Sequence, residues 1–269
     1  MAYEHLIVRR EGTVEHLILN RPDVRNALDS QVIAELTDWA AEVSRAARAG
    51  EVRAAVISGA GRVFCAGADA RWLASMVDYT EAENIRDAQA MAGMFGAIDD
   101  VPLPVICRVH GAAMGGGAGL AAVSDIVVAE DQAVFGFTEV KLGIVPGTIS
   151  PFVVAKIGRS AARELFVTGA RFSAERAKAI GLVHAVVPRE SLDAQVSDYI
   201  GEILTSSPDA VAAAKALIRD VWGRSPADAV ATTSAAIARS RVSPQGQEGL
   251  RAFLEKRTPK WSVARPRND

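Results

Sequence analysis

The chain has 269 residues, of which 49% are hydrophobic and 23% charged, with 30 Lys+Arg against 32 Asp+Glu and a formal net charge of −2. That length supports a sizeable core in one domain or in a domain with a smaller appendage, and the composition excludes disordered, collagen-like and coiled-coil classes. There is no basic excess with which to capture nucleic-acid phosphates or an anionic membrane surface. The two cysteines, Cys65 and Cys107, are expected to be small core residues in a reducing compartment. The opening Met1-Ala2-Tyr3-Glu4-His5 lacks the basic and apolar regions of a signal peptide. Residues 109–124, free of Asp, Glu, Lys and Arg, are fewer than the ~20 needed to span a bilayer. A cytoplasmic protein is expected.

In chain order, residues 6–8 and 14–19 flank Glu11-Gly12 and predict a hairpin. From Asp29-Ser30, Val32, Leu36, Trp39, Val43 and Ala47 recur every three or four residues up to Gly50, the pattern of an amphipathic helix. Residues 52–58 predict a buried strand, and 81–98 a helix with Ile85, Ala88, Met91, Ala92 and Phe95 on its buried side. The strand 105–109, a glycine-rich turn, a short helix to about residue 122 and the strand 126–129 continue an alternation that predicts parallel βαβ units. Beyond Pro151 the pattern is mainly helical, at 151–157, 161–168, 174–180, 192–204, 211–221 and near 248–255. An α/β core over residues 1–200 and a C-terminal helical subdomain over 201–269 are expected.

Three segments hold the chemistry. His110-Gly111-Ala112-Ala113-Met114-Gly115-Gly116-Gly117-Ala118-Gly119 places five glycines in ten residues directly after an apolar strand. Glycine permits close backbone approach, so such a run ahead of a helix either aims free N–H groups at a ligand oxygen or makes a tight packed turn. It matches neither standard nucleotide-binding glycine motif. Val63-Phe64-Cys65-Ala66-Gly67-Ala68-Asp69 is a second strand-end turn, able to supply another backbone donor or to be a loop in which Asp69 caps a helix. In residues 135–147, Glu139 stands among apolar residues, surroundings that raise a carboxylate's pKa and suit it to acid/base work, although most glutamates are solvated surface charges. His5, His16, His110 and His184 lack metal-ligand spacing, His110 being expected to be structural, and no G-x-S-x-G elbow occurs.

These segments, in this order, resemble the crotonase superfamily, the enoyl-CoA hydratase/isomerase family. The resemblance runs from Asn20-Arg21-Pro22 and Asn26-Ala27-Leu28 through the two glycine-containing turns, Ser124-Asp125-Ile126 and Glu139-Val140-Lys141-Leu142-Gly143, to Leu165-Phe166-Val167-Thr168-Gly169, Ala179-Ile180-Gly181-Leu182-Val183 and Ala252-Phe253-Leu254-Glu255-Lys256-Arg257. It implies an α/β spiral of ββα turns, a helical C-terminal region used in trimer or paired-trimer assembly, and an acyl-coenzyme A thioester as substrate with no separate cofactor or metal. It places Ala68 and Gly116 where backbone N–H groups form an oxyanion hole. Ala66, Asp69, Ala70 and Arg71 match the segment lining the coenzyme A site, and Arg25 a basic position near its phosphates.

One departure stands out. Where two-glutamate hydratases of the family carry a first Glu, this chain has Gly119, leaving Glu139 to act alone or with water or another partner. Gly119 is expected to leave pocket space for a bulkier or carboxylated acyl group. The segment 138–151 looks most like methylglutaconyl-CoA and isohexenylglutaconyl-CoA hydratases. The expected activity is hydration of a 2,3-enoyl-CoA, with a single-glutamate Δ3,Δ2-enoyl-CoA isomerase and an idle acyl-CoA-binding member as alternatives.

Overall fold

The computed structural model describes residues 3–263. Strands β1 (Leu6–Glu11) and β2 (Val14–Leu19) form the predicted hairpin, and helix α1 (Ser30–Arg48) follows, the Asp29 carboxylate accepting the Val32 N–H at its start. β3 (Ala54–Gly59) leads to the short α2 (Ala70–Ser75) and the long α3 (Glu81–Asp99), whose capping box joins Thr80 and Glu83. After β4 (Val105–Val109) come β5 (Ala112–Met114), α4 (Gly116–Val123), β6 (Ile126–Glu130) and β7 (Val134–Gly136). α5 (Ser150–Thr168), β8 (Arg171–Ser173), α6 (Ala174–Ala179) and β9 (Ala185–Val187) follow, and α7 (Leu192–Thr205), α8 (Pro208–Val221), α9 (Pro226–Val242) and α10 (Pro244–Leu254) end the described chain.

The larger sheet has the order β1-β2-β3-β4-β6-β9, parallel from β2 onward. Because side chains alternate along a strand, each central strand feeds two cores. Ala55 and Ile57 of β3, Cys107 and Val109 of β4, and Val127 and Ala129 of β6 join the core that contains residues of α1 and α3. Ala54, Val56, Ile106 and Val128 face the other way, onto Leu192 and Val196 of α7. A smaller sheet, β5-β7-β8, carries the glycine-rich turn.

Three expectations change here. The predicted breaks around residue 158 are one helix with a kink, since Gly158 has φ 73° and ψ 164° inside α5. α3 buries Met94, Phe95 and Ile98, whereas Ile85 is 50% exposed, so the N-terminal half of this helix does not face the core as predicted. Residue 200 falls inside α7, which is part of the sheet packing, and the C-terminal region is tied back to the core by Arg53. Its guanidinium donates to the carbonyls of Leu204 (3.0 Å), Ser206 (2.7 Å) and Trp261 (2.7 Å). Both cysteines are free and buried, and burial pushes the Cys65 thiol up to about 12.

The loop from β2 to α1 is organised by Asn26, which is 1% exposed with φ 56°, a conformation Asn tolerates better than most residues. Its Oδ1 accepts the Arg21 N–H at 2.9 Å, and its Nδ2 donates to the carbonyls of Ala60 (2.8 Å), Val63 (2.9 Å) and Phe64 (3.1 Å). Replacing Asn26 by Ala strands these groups and should cost about 3 kcal/mol in urea unfolding. Asn26→Asp should cost more near neutral pH, because a carboxylate would face those carbonyls. The folded-state pKa of that Asp is thereby raised, so its deficit should shrink as pH falls toward ~4, where the carboxyl protonates. A deficit that does not change with pH counts against this arrangement.

Candidate active site

The two chemistry-bearing turns are held together through Cys65. Its N–H donates to the Ala112 carbonyl at 3.0 Å, and its carbonyl accepts the Met114 N–H at 3.0 Å, a short parallel ladder between the first turn and β5. On the other side of the first turn, the Gly67 carbonyl accepts the Leu28 N–H (2.7 Å) and the Asp69 N–H donates to Leu28 (2.8 Å). In extended backbone, alternate residues bond to opposite sides, so the intervening Ala68 turns its N–H away from Leu28. No hydrogen bond among the described residues takes it up.

Gly116 opens α4, where the first N–H groups of a helix have no intrahelical acceptor. Its N–H is likewise without a partner among the described residues. The turn before it depends on Gly115, at φ +49° and ψ −116°, a conformation that a side chain would strain. The Gly115 N–H donates to the Gly136 carbonyl at 2.8 Å, so the end of β7 lies beside the start of α4. Thr138 and Glu139 follow that strand. A Cβ built on Gly115 would lie 3.3 Å from Glu139 Oε1.

Ala68, Gly116 and Glu139 line one cavity of about 490 Å³. Ala66, Trp72, Met91 and Ile149 contribute to its otherwise largely apolar walls. Glu139 Oε2 is buried with no hydrogen-bond partner among the described residues. Burial pushes its carboxyl above the ordinary range. An orphaned buried carboxylate oxygen on the same cavity as two unpaired N–H groups costs folding free energy and marks a place where a ligand completes the hydrogen bonding.

The remaining sequence-predicted residues separate. Ala66 lines the cavity, but Asp69, Ala70, Arg71, Arg25 and Gly119 do not. Asp69 is 5% exposed and spoken for: it caps α2 through the Arg71 N–H (2.8 Å) and pairs with Arg21 (3.0 Å), which also holds Asp29 (2.9 Å). Burial opposes ionisation there, but the Arg71 N–H and the Arg21 charge outweigh it and hold the carboxyl below its usual range. Arg25 and Arg71 are exposed on either side of the first turn, where the Arg25 carbonyl accepts the Ala66 N–H at 3.0 Å. Gly119 is buried behind the wall, not open to it. A Cβ there would lie 2.4 Å from Ile149 Cγ2 and 2.9 Å from Phe95 Cζ, so these two side chains already fill the space that the missing glutamate was expected to leave. His110 is structural in its contacts, its Nε2 lying 3.1 Å from the Gly61 carbonyl.

Sequence reasoning missed Asn84 and Asp87, which line the cavity from α3 beside Ala88 and Met91 of the predicted buried side. Their spacing of four residues from Ala88 and Met91, respectively, is the legible signal, masked because polar residues at a helix edge read as solvated. Trp72 of α2 was missed as well; its Nε1 donates to Asp87 Oδ1 at 3.3 Å.

The sequence profile of the family described as Enoyl-CoA hydratase/isomerase matches residues 9–264. A 2,3-dehydroadipyl-CoA hydratase of Escherichia coli is 32% identical over 94% of this chain and 97% of its own length. A crystal structure of an enoyl-CoA hydratase from Shewanella pealeana superposes with a TM-score of 0.92 at 35% identity, covering 96% of each chain. That of an enoyl-CoA hydratase/isomerase from Marinobacter aquaeolei gives 0.90 at 36%, covering 97% of this chain and 100% of its own. With the paired turns, the unpaired N–H groups and the profile spanning nearly the whole length, the chain belongs to the enoyl-CoA hydratase/isomerase family.

Proposed function

We propose that the protein hydrates a 2,3-enoyl-CoA, with Glu139 as its acid/base group and the Ala68 and Gly116 N–H groups as the oxyanion hole. The observation that carries this reading is the meeting of two unpaired N–H groups and one unpaired buried carboxylate oxygen on a single cavity. A thioester carbonyl seated on the two donors is polarised, drawing electron density from C3. Glu139 removes a proton from water as the water oxygen bonds to C3, and the displaced π electrons pass through C2 to the thioester oxygen. The enolate then collapses, and its C2 takes a proton back from the Glu139 carboxylic acid, so one residue closes the proton balance. The N-terminal end of α4 adds positive potential at the same oxygen.

A second reading, isomerisation of a 3-enoyl-CoA, is favoured by the absence of another carboxylate on α4, since proton transfer between C2 and C4 needs one carboxylate alone. Product analysis in heavy-oxygen water separates the two. Oxygen incorporation from a panel of acyl-CoAs marks hydration, and double-bond migration without it overturns the hydratase reading.

The exposed Arg25 and Arg71 flank the Ala66–Asp69 turn, and in this reading they meet coenzyme A phosphates outside the cavity. The acyl group that fits is neutral, branched or unbranched, because no Lys, Arg or His among the described residues lines the cavity. This counts against 3-methylglutaconyl-CoA, whose distal carboxylate would meet no positive charge. Trp222, Phe253 and Leu254 are 69%, 81% and 78% exposed on the C-terminal helices, and assembly into a homotrimer or homohexamer would cover such surface.

Glu139→Gln keeps volume and removes proton transfer, so kcat should fall at least ~10²-fold with little change in acyl-CoA Kd. In the wild type, kcat/KM should decline on acidification through a pKa above the ordinary glutamate value, because the base must be ionised and burial raises its pKa. Near-normal turnover of the variant removes Glu139 from the mechanism. For the oxyanion hole, Gly116→Val drives a side chain toward Leu28 Cδ1 and Met91 Cε, each 2.8 Å from a built Cβ. Displacing the N–H should lower kcat/KM by about 10²-fold, and a folded variant with unchanged kcat/KM rules the donor out. Gly119→Glu should not create a two-glutamate hydratase: the new side chain collides with Ile149 and Phe95, lowering Tm and crotonyl-CoA turnover together. A rise in crotonyl-CoA turnover is the contrary result.

A further inference from the structure

Asp87 is the second carboxylate on the wall of the cavity that holds Glu139, and it comes from a different element, α3. It is half-buried, and its one hydrogen bond is from Trp72 Nε1 to Oδ1 at 3.3 Å. No cation pairs with it among the described residues, although the same chain gives other buried carboxylates an arginine, as Arg21 does for Asp69. One turn before it, Asn84 spends its Nδ2 on the carbonyls of Tyr79 (3.3 Å) and Thr80 (3.2 Å), and its Oδ1 has no partner among the described residues. The α3 face therefore offers the cavity hydrogen-bond acceptors at adjacent helical positions and no free donor from these two side chains. Partial burial pushes the Asp87 carboxyl up from its ordinary value.

The placement along the cavity sets what these acceptors meet. A Cβ on Gly116 would touch Met91 Cε at 2.8 Å, so Met91 is level with the proposed oxyanion donor. Asp87 lies one turn of α3 beyond Met91, ~6 Å along the helix axis, in the range of the far end of a six-carbon acyl chain whose thioester carbonyl sits at Gly116. We infer that Asp87 is the specificity-determining residue of the acyl pocket, favouring an acyl tail that ends in a hydrogen-bond donor such as a hydroxyl and rejecting one that ends in a carboxylate. The inference rests on the reading that this cavity seats the acyl group. A carboxylate tail would meet a like charge in a pocket that no cation lines among the described residues, and a hydroxyl would find an acceptor in place.

The test is a set of ligands of equal chain length, hexanoyl-CoA, 6-hydroxyhexanoyl-CoA and adipyl-CoA, titrated by calorimetry at mildly alkaline pH against wild type and Asp87→Asn. The variant keeps the shape and an acceptor for Trp72, removes the charge and adds a donor. Wild type should bind adipyl-CoA at least about tenfold more weakly than hexanoyl-CoA, and 6-hydroxyhexanoyl-CoA at least as tightly. Asp87→Asn should narrow the adipyl-to-hexanoyl ratio by about tenfold. Equal binding of adipyl-CoA and hexanoyl-CoA by wild type overturns the inference, and this comparison stands even where the variant fails to fold. So does a variant whose ratio is unchanged while kcat on crotonyl-CoA falls, which would place Asp87 at the reacting carbons. Discriminating binding without hydration of the matching 2-enoyl-CoAs overturns the hydratase reading and leaves this one standing; no binding of any acyl-CoA overturns both.

Discussion

The site depends on the two hydrogen bonds by which Cys65 joins the first turn to β5. Each turn alone presents one N–H, and a single donor polarises a carbonyl weakly. The ladder fixes the two turns in register, and from it Ala68 lies three residues along one strand and Gly116 two residues beyond the end of the other. Small side chains are dictated by that closeness, as a Cβ on Gly117 would come within 2.7 Å of the Cys65 carbonyl oxygen. The Asn26 amide braces the same turn from behind by gripping the Phe64 carbonyl. Side chains that never reach the cavity thus set the precision of backbone groups that do.

Electrostatically the site is built by omission. One oxygen of the Glu139 carboxylate, Oε2, is buried without a hydrogen-bond partner, and among the described residues the cavity wall carries no cation that would hold it permanently ionised and unreactive. By contrast, Asp69, five residues from Phe64 in the same turn, is clamped by Arg21 and a backbone N–H. Two acids, one on the cavity and one behind its first turn, are driven apart in proton affinity by their surroundings, one poised to exchange protons and the other locked as a charged strut.

How much of this was legible depends on length and period. α1 buries Val32, Leu36, Trp39 and Val43 as its spacing predicts, and the parallel βαβ order of the large sheet follows from the alternation of elements. β5, β7 and β8 have three residues each, too few to display a two-residue period, so the small sheet that carries the site was invisible. Among the described residues α9 buries Ala229 alone and so writes no apolar stripe. The glycine-rich turn was recognisable as a site through its resemblance, yet Gly119 misled, because whether a glycine leaves a hole depends on what its neighbours do. Here Ile149 and Phe95 close it. Asp87 resembled the solvated face of a helix, and a cavity assembled from four separate segments is what makes it otherwise.

The Arg53 clamp bears on how the molecule is made. Its three carbonyl acceptors lie 151, 153 and 208 residues downstream. Arg53 itself immediately precedes the central strand β3. Contacts of such separation are closed late, because the loop entropy must be met before they form. Until Trp261 emerges from the ribosome, the guanidinium at the head of that strand lacks the most distal of its three acceptors. Completion of the clamp therefore waits for almost the entire chain, and a ribosome that stalls within α9 or α10 leaves a nascent polypeptide in which Arg53 is translated but its clamp is not yet closed.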